Sequence, residues 1–343
     1  MSIYPGGSRS RVNKAGYRLR ESNPTAEDVQ IIDEWRAAHK AVLNTFQAIL
    51  RNRTKGKEIT VSQRHKRKNT ILGKLNRFPS MELSRMDDIA GCRLIFNDIE
   101  SLDKFRSELH RSRFKHELRN EKSKYNYIEA PKDTGYRGIH DIYVYKVNSK
   151  NGVYHNGLYV EIQYRTKIQH SWATAVEIIG FLTESQPKFQ KGDKRYTELM
   201  SYASEILARA HEQSKGPHPD ISSGDLIGKF STLEADLRLM DTLVGIKIAN
   251  TFNSQRQNII LVFDSENQLQ IKSYADTNSA LKDLFRIERE NPSYDAVLVK
   301  AEKNEDIRLA FKNYFLDAYD FVDLIRSGIV TLMNENSQAS TAG

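Results

Sequence analysis

Three features of the sequence predict an α+β fold: a mixed β-sheet flanked by helices, followed by a small second α+β unit. Strand-like apolar runs gather between residues 94 and 164, stretches with apolar residues at spacings of three and four flank them, and a second set of short strands follows a turn-rich break. At 343 residues the chain exceeds the roughly 250 to 300 at which a single core stops growing, so two domains are expected.

The first twenty residues, rich in Gly, Ser and Arg, predict irregular structure. From Pro24 to Asn52, Val29, Ile32, Trp35, Ala38, Val42, Phe46 and Ile49 mark one amphipathic helix. A basic loop over 51–58 and the Arg64–Lys68 run lead to a short helix ending before Pro79. Leu94-Ile95-Phe96 predicts a strand and Leu102–Phe114 a helix. Strands follow at Tyr125–Ile128, Ile139–Val147 and Leu158–Tyr164, then helices at Ile168–Ile179 and Tyr196–Gln213. The turn-forming Ser214–Pro219 segment places the domain boundary at 215/216. Beyond it the pattern predicts a polar helix over 225–252, a hairpin of Ile259–Phe263 with Leu269–Tyr274, a helix over 276–290, a strand over 295–300 and helices over 304–316 and 320–333. From about residue 334 the tail reads as disordered.

Charge is unevenly spread. The net +8 conceals 17 basic against 6 acidic residues over 1–80, near balance over 81–215, and 13 against 19 over 216–343. A basic front suits phosphate-bearing partners, and an acidic back suits a cover for it. No apolar run approaches the roughly 20 residues that span a bilayer, and the start lacks a secretory apolar stretch, so a cytoplasmic protein without a membrane partner is expected. The single cysteine, Cys92, excludes intrachain disulfides and multi-cysteine zinc sites, and its apolar neighbours predict a small buried hydrophobe.

Four motifs carry chemistry. In Arg64-His65-Lys66-Arg67-Lys68, expected on a loop leading into a helix, Arg64 and Lys66 with downstream Lys74 can converge on a phosphate chain, although such a run can also be a solvated face. Asp87 and Asp88 stand at the mouth of the 94–96 strand, where a carboxylate can hold Mg²⁺ or merely cap a turn, with Arg93 five residues after Asp88. In Pro131–His140, glycines flank Tyr136, which predicts an exposed ring able to stack on a base; an ordinary turn is the competing reading. In Val160–Thr166, strand alternation places Glu161, Gln163 and Arg165 on one face. No nucleophile elbow, Walker loop or dinucleotide fingerprint is present, and His140-Asp141 lacks further ligands at metal spacing.

Taken in order, Arg64-x-Lys66 with Ile71-x-x-Lys74, Asp88-Ile-Ala-Gly-x-Arg93, Pro131-Lys-x-x-Gly-Tyr136-Arg-x-x-His140 and Glu161-Ile-Gln163-x-Arg-Thr, followed by His170-x-Trp-Ala, resemble the synthetase domain of RelA/SpoT alarmone synthetases. The resemblance implies a nucleotidyltransferase-like fold and transfer of pyrophosphate from ATP to a nucleotide 3′-hydroxyl. It implies that Arg64 and Arg93 sandwich adenine, Lys66 and Lys74 hold phosphates, and Asp88 and Glu161 bind Mg²⁺, Glu161 also acting as base. Tyr136 would stack on the acceptor base, with His140 and Gln163 beside it.

With no hydrolase domain and an appended unit of about 120 residues, the chain also resembles toxic small alarmone synthetases, and its Tyr4–Gly16 opening resembles the CapRel group of fused toxin–antitoxins. That likeness implies pyrophosphorylation of the tRNA 3′-CCA end, inhibition of translation, self-inhibition by residues 216–343, and release by a capsid-like phage protein in antiphage defence. A tyrosine pair of that group finds a partial match in Phe311 and Tyr314, whose spacing equally suits a core face. The alternatives are an enzyme of the same fold making a guanosine or adenosine alarmone from GDP, GTP or an adenosine nucleotide, and a catalytically silent RNA-binding or sensing module. A monomer is expected.

Overall fold

The computed structural model describes residues 4–66, 68–182, 192–245, 258–263, 269–291, 294–300, 319–335 and 337. Its N-terminal half is organised on a five-stranded mixed sheet. Strands β1 (Thr60–His65), β2 (Ala90–Phe96), β3 (Glu117–Leu118), β4 (Ile139–Val144) and β5 (Tyr159–Thr166) lie in the order β1-β2-β5-β4-β3. Only β2 and β5 run parallel; the other neighbours are antiparallel.

Pairing Gly91 with Glu161 and Arg93 with Gln163 puts the polar residues of β2 and β5 on one face of the sheet. The opposite face, with Cys92, Leu94, Val160, Ile162 and Tyr164, packs in a core with Trp35, Val42, Phe46 and Leu50. These four come from α2 (Ala26–Thr54), the long helix expected from its periodicity. A capping box starts it: the Thr25 hydroxyl accepts from the Asp28 amide and the Asp28 carboxylate accepts from the Thr25 amide. Cys92 is buried as expected, and burial pushes its thiol up to about 12.

Several expectations are corrected. The N-terminal segment is helical: α1 (Arg9–Arg20), capped by Ser8, buries Val12, Ala15 and Gly16. Three small residues make its apolar stripe too narrow to register as a period, yet Gly16 lets Leu83 approach to where a Cβ would stand 2.6 Å from the Leu83 Cβ. Arg64 lies on a strand, not a loop, because antiparallel pairing with β2 captures the Thr60-Val61 start despite the cations that follow. The strand expected at Tyr125–Ile128 is reduced to one bridge between Asn126 and Ile139, since the Asn126 side chain accepts from the Ile128 and Glu129 amides and turns the chain. The helix expected over 225–252 breaks at Arg238, whose φ of 48° is left-handed, into α7 (Ser223–Leu237) and α8 (Leu239–Gly245); residues 246–252 lie outside the described ones.

Helices α3 (Lys68–Arg77), α4 (Ile99–His110), α5 (Lys167–Leu182) and α6 (Lys194–Glu212) complete the N-terminal half. The expected hairpin forms as β6 (Asn258–Phe263) and β7 (Leu269–Tyr274), joined antiparallel by β8 (Asp295–Lys300), with α9 (Thr277–Glu290) between β7 and β8 in the chain. The last helix, α10, covers 319–335 and so includes the first two residues of the tail expected to be disordered. A second core unites Trp172, Val176, Met200, Ala203 and Ile206 of α5 and α6 with Leu226 and Phe230 of α7 and Phe321, Ile325 and Leu332 of α10. The turn over 214–219 therefore runs between helices that share one core.

Candidate active site

The polar face of the sheet gathers most of the residues singled out in the sequence. Lys66, just past the end of β1, places Nζ 2.6 Å from Asp88 Oδ2. Lys74, on α3, places its Nζ 3.0 Å from Asp88 Oδ1 and 3.3 Å from Asp87 Oδ1. Burial opposes the Asp88 charge, but Lys66 and Lys74 hold its carboxyl below the usual range, against repulsion from Glu161. Burial lowers Lys66, with Asp88 opposing; in Lys74 burial also lowers, and Asp88 and Asp87 outweigh it.

A second polar chain runs across β2, β5 and β4. Arg93 Nε donates to Gln163 Oε1 at 3.3 Å, Gln163 Nε2 to Glu161 Oε2 at 2.6 Å, and His140 Nδ1 lies 2.8 Å from Glu161 Oε1. His140 Nε2 then meets the Tyr136 hydroxyl at 2.5 Å, which also accepts from Arg165 at 3.2 Å. Burial would lower His140, but Tyr136 and Glu161 raise it to about 9; burial would raise Tyr136, but Arg165 and His140 bring it to about 7. Glu161, although buried, is held well below the carboxylate range by His140 and Gln163. It therefore stays ionised at neutral pH, a better orienting acceptor than a strong base. Arg64 pairs with Gly91, two residues from Arg93 and so on the same face, and two guanidinium groups flank this end of the sheet. Burial brings Arg93 down to about 10, which leaves it charged at neutral pH.

Tyr136 departs from expectation. It is half-buried, not exposed, with its ring edge-on to Tyr127 at 5.7 Å and to His140 at 5.6 Å. The Arg165 guanidinium stands 5.1 Å from its centroid and the Lys132 ammonium 5.2 Å. The glycines beside it serve close packing: Gly135, at φ +92°, leaves space a Cβ would fill 2.8 Å from the Trp172 ring. Phe311 and Tyr314 lie outside the described residues.

Sequence reasoning missed the residues that frame this site. Arg119 reaches to 3.8 Å from Asp87 and stacks over Tyr159, and Lys132 covers Tyr127 at 4.3 Å. No pattern marked Arg119, while Lys132 was visible in the Pro-Lys pair of the third motif. Behind the sheet, fully buried Asp141 takes Arg106 in a fork and His110 at 2.7 Å, and Arg106 also donates to the Lys122 carbonyl. This cluster ties the 119–127 loop to β4.

Among the described residues no group of three His, Cys, Asp or Glu side chains could enclose a metal. Asp88, just before β2, and Glu161 on β5 nevertheless stand near enough to repel each other and fit Mg²⁺, which keeps water and takes phosphate oxygens beside one or two carboxylates. Nor is any described helix long and apolar enough to cross a membrane.

Residues 63–179 match a sequence family described as a region found in RelA / SpoT proteins. Among solved structures, small alarmone synthetase 1 from Bacillus subtilis is 20% identical, covering 59% of this chain and 95% of its own, at a TM-score of 0.42. A GTP pyrophosphokinase family protein from Streptococcus pneumoniae is 21% identical over 58% of this chain and 96% of its own, at 0.44. Small alarmone synthetase 2 from B. subtilis is 26% identical over 51% and 89%, at 0.41. No curated protein sequence matches the chain. All four motifs of the polar sheet face fall within the matched segment, so residues 63–179 are similar to a region found in RelA / SpoT proteins.

Proposed function

We propose that this chain is an ATP-dependent pyrophosphokinase that transfers pyrophosphate to the 3′-hydroxyl of the tRNA CCA end. The observation that carries the transferase reading is the placement of Asp88, two residues before β2, near enough to Glu161 on β5 for the two charges to repel, with Lys66 and Lys74 both on Asp88. Asp88 and Glu161 would hold Mg²⁺, which supplies charge neutralisation when bound. Lys66 and Lys74, now paired with Asp88, would turn to the triphosphate, while Arg64 and Arg93 take adenine. Glu161, ionised and hydrogen-bonded by His140, orients the attacking hydroxyl. As the acceptor oxygen bonds to Pβ, its proton is released past the Glu161 carboxylate to water, the bond between Pβ and the bridging oxygen breaks, and AMP leaves with the electrons of that bond. Such a displacement depends on alignment and charge neutralisation more than on covalent catalysis.

The half-buried Tyr136, enclosed by Tyr127 and His140, suits a purine ring of any acceptor, so a guanosine or adenosine alarmone is the second reading. The surplus of cations over residues 1–80 favours the tRNA. ATP labelled in its β-phosphate, incubated with deacylated tRNA, GDP, GTP and adenosine nucleotides, should label the tRNA 3′ end. Label confined to free nucleotides would establish the second reading, and label in no acceptor would reject both.

The proposal extends to regulation: the acidic C-terminal part brakes the enzyme, and a phage protein releases it. Supporting this, Phe285 of α9 lies 4.6 Å beneath the guanidinium of Arg36, which donates to the Lys66 carbonyl, and Arg289 lies 3.8 Å from Asp33, a partner of Lys68. Phe285→Ala with Arg289→Ala should increase acceptor labelling by the full chain; unchanged labelling would remove this contact as the brake.

A further inference from the structure

Two motif residues of the matched 63–179 segment, Arg137 and Thr166, converge with Gln169 on a carboxylate from outside it. Glu212, the last residue of α6, has a side chain only 4% exposed. Its Oε1 accepts from the Thr166 hydroxyl at 2.5 Å and from Gln169 Nε2 at 3.1 Å, while its Oε2 is ion-paired with Arg137. Thr166 ends the Glu-Ile-Gln-x-Arg-Thr strand, Gln169 opens α5, and Arg137 follows Tyr136 directly. Arg137 is itself 3% exposed in its side chain and donates to the Ser204 carbonyl at 3.5 Å. Two residues before Arg137, the Gly135 carbonyl accepts from Ser204 Oγ at 2.6 Å, and the Trp172 indole donates to Met200 O at 2.7 Å.

From this convergence we infer that Glu212 is a positioning residue for the acceptor side of the site: it anchors Arg137 and thereby aims Tyr136 at His140. Without Glu212 the buried Arg137 guanidinium keeps only the Glu205 charge, which is already paired with Arg209, and stripping a buried charge of its direct partner costs far more than the pair is worth. Arg137 would then seek water, and any shift of its backbone carries the adjoining Tyr136 with it. Among the described residues Lys66, Lys74 and Asp88 hang on other elements and make no hydrogen bond or ion pair with Glu212, so the donor side, reached only through the His140–Glu161 contact, should follow far less. The helix that presents Glu212 is also gripped from its far side, where His211 Nε2 meets the Leu324 carbonyl of α10 at 2.8 Å.

The kinetic part of this inference rests on the pyrophosphokinase reading; the structural part does not. Full-length Glu212→Gln keeps the size of the side chain and removes its charge. By hydrogen–deuterium exchange, residues 135–140 should exchange at least roughly tenfold faster than in the unsubstituted chain, while β2 stays as protected as before. With whichever of deacylated tRNA or GTP the unsubstituted enzyme labels, the acceptor KM should rise by roughly tenfold and the ATP KM stay within about twofold. Unchanged exchange at 135–140, faster exchange spread evenly over β2 as well, or a joint rise of both KM values would overturn the inference. Should Glu212→Gln fail to fold, Glu212→Asp, which keeps the charge and shortens the reach, should show the same local pattern at smaller amplitude, and a uniform pattern there counts against it. If the unsubstituted chain labels no acceptor, the pyrophosphokinase reading falls and the exchange pattern alone decides the role of Glu212.

Discussion

Gly135 shows how much of this site depends on single atoms. At φ +92° it adopts a conformation that L side chains rarely take, and a Cβ there would stand 2.8 Å from the Trp172 ring and 3.0 Å from the Met200 carbonyl. Gly135→Ala is therefore expected to lower stability by about 1–3 kcal/mol and to weaken acceptor use more than ATP use. Thermal melts and the two KM values check both parts. Glu161→Gln acts differently. It preserves shape while removing the charge that faces His140, Lys66 and Asp88, so labelling of every acceptor should fall by about 10² or more with the fold intact. Full labelling by Glu161→Gln would favour a catalytically silent module over an enzyme.

At the scale of the element, α2 carries the basic half of the site on its back. Its capping box is reinforced by Arg18, which reaches both oxygens of Asp28 at 3.1 and 3.2 Å. Thr25→Ala should cost about 1 kcal/mol, read as a shift in denaturation midpoint. Midway along the helix His39 is buried and close to the Trp35 carbonyl at 2.8 Å, and burial lowers it from 6.5 to about 4. Between those two values the unfolded chain binds a proton that the folded chain refuses. This histidine's contribution is thus complete above pH 6.5 and is lost on acidification toward pH 4, by up to roughly 3 kcal/mol. His39→Gln should flatten the fall of melting temperature over that window, and an unchanged slope would assign the acid sensitivity elsewhere. His65 is lowered in the same direction by burial and by Arg36, so a residual slope is expected.

For the whole molecule, the decisive feature is that α5 and α6 pack against the Gly135–Tyr136 segment and also belong to the core shared with α7 and α10. Phe321, Val322 and Ile325 are 0%, 1% and 1% exposed, so α10 is bound as firmly as any helix of the sheet half. Phe321→Ala should destabilise the chain by about 3–5 kcal/mol in one transition that includes α6. A separate early transition would instead mark the C-terminal part as independently folded. Ending the chain near residue 215 would expose Ile206 and Leu207, both nearly fully buried, so any gain of toxicity in such a fragment competes with lost solubility.

The sequence alone determined the chemistry-bearing motifs, their order and most of the elements that carry them, because period-2 and period-3.6 burial leave direct marks: α2, β2, β5, α6 and the β6–β7 hairpin were all legible. It also determined that Glu161 and Gln163 share a strand face, since alternation in a strand leaves no choice. Only the tertiary structure decided what those faces meet. That Lys66 and Lys74 sit on Asp88, that Tyr136 is enclosed and not exposed, and that Arg119 and Glu212 belong to the site all depend on partners far apart in the chain. Arg137 and Glu212 are brought together by the packing of α6 beneath the acceptor loop, a contact no local period encodes. The narrow stripe of α1 escaped notice for the same reason: Gly16 matters only because Leu83, distant in sequence, fills the space it leaves.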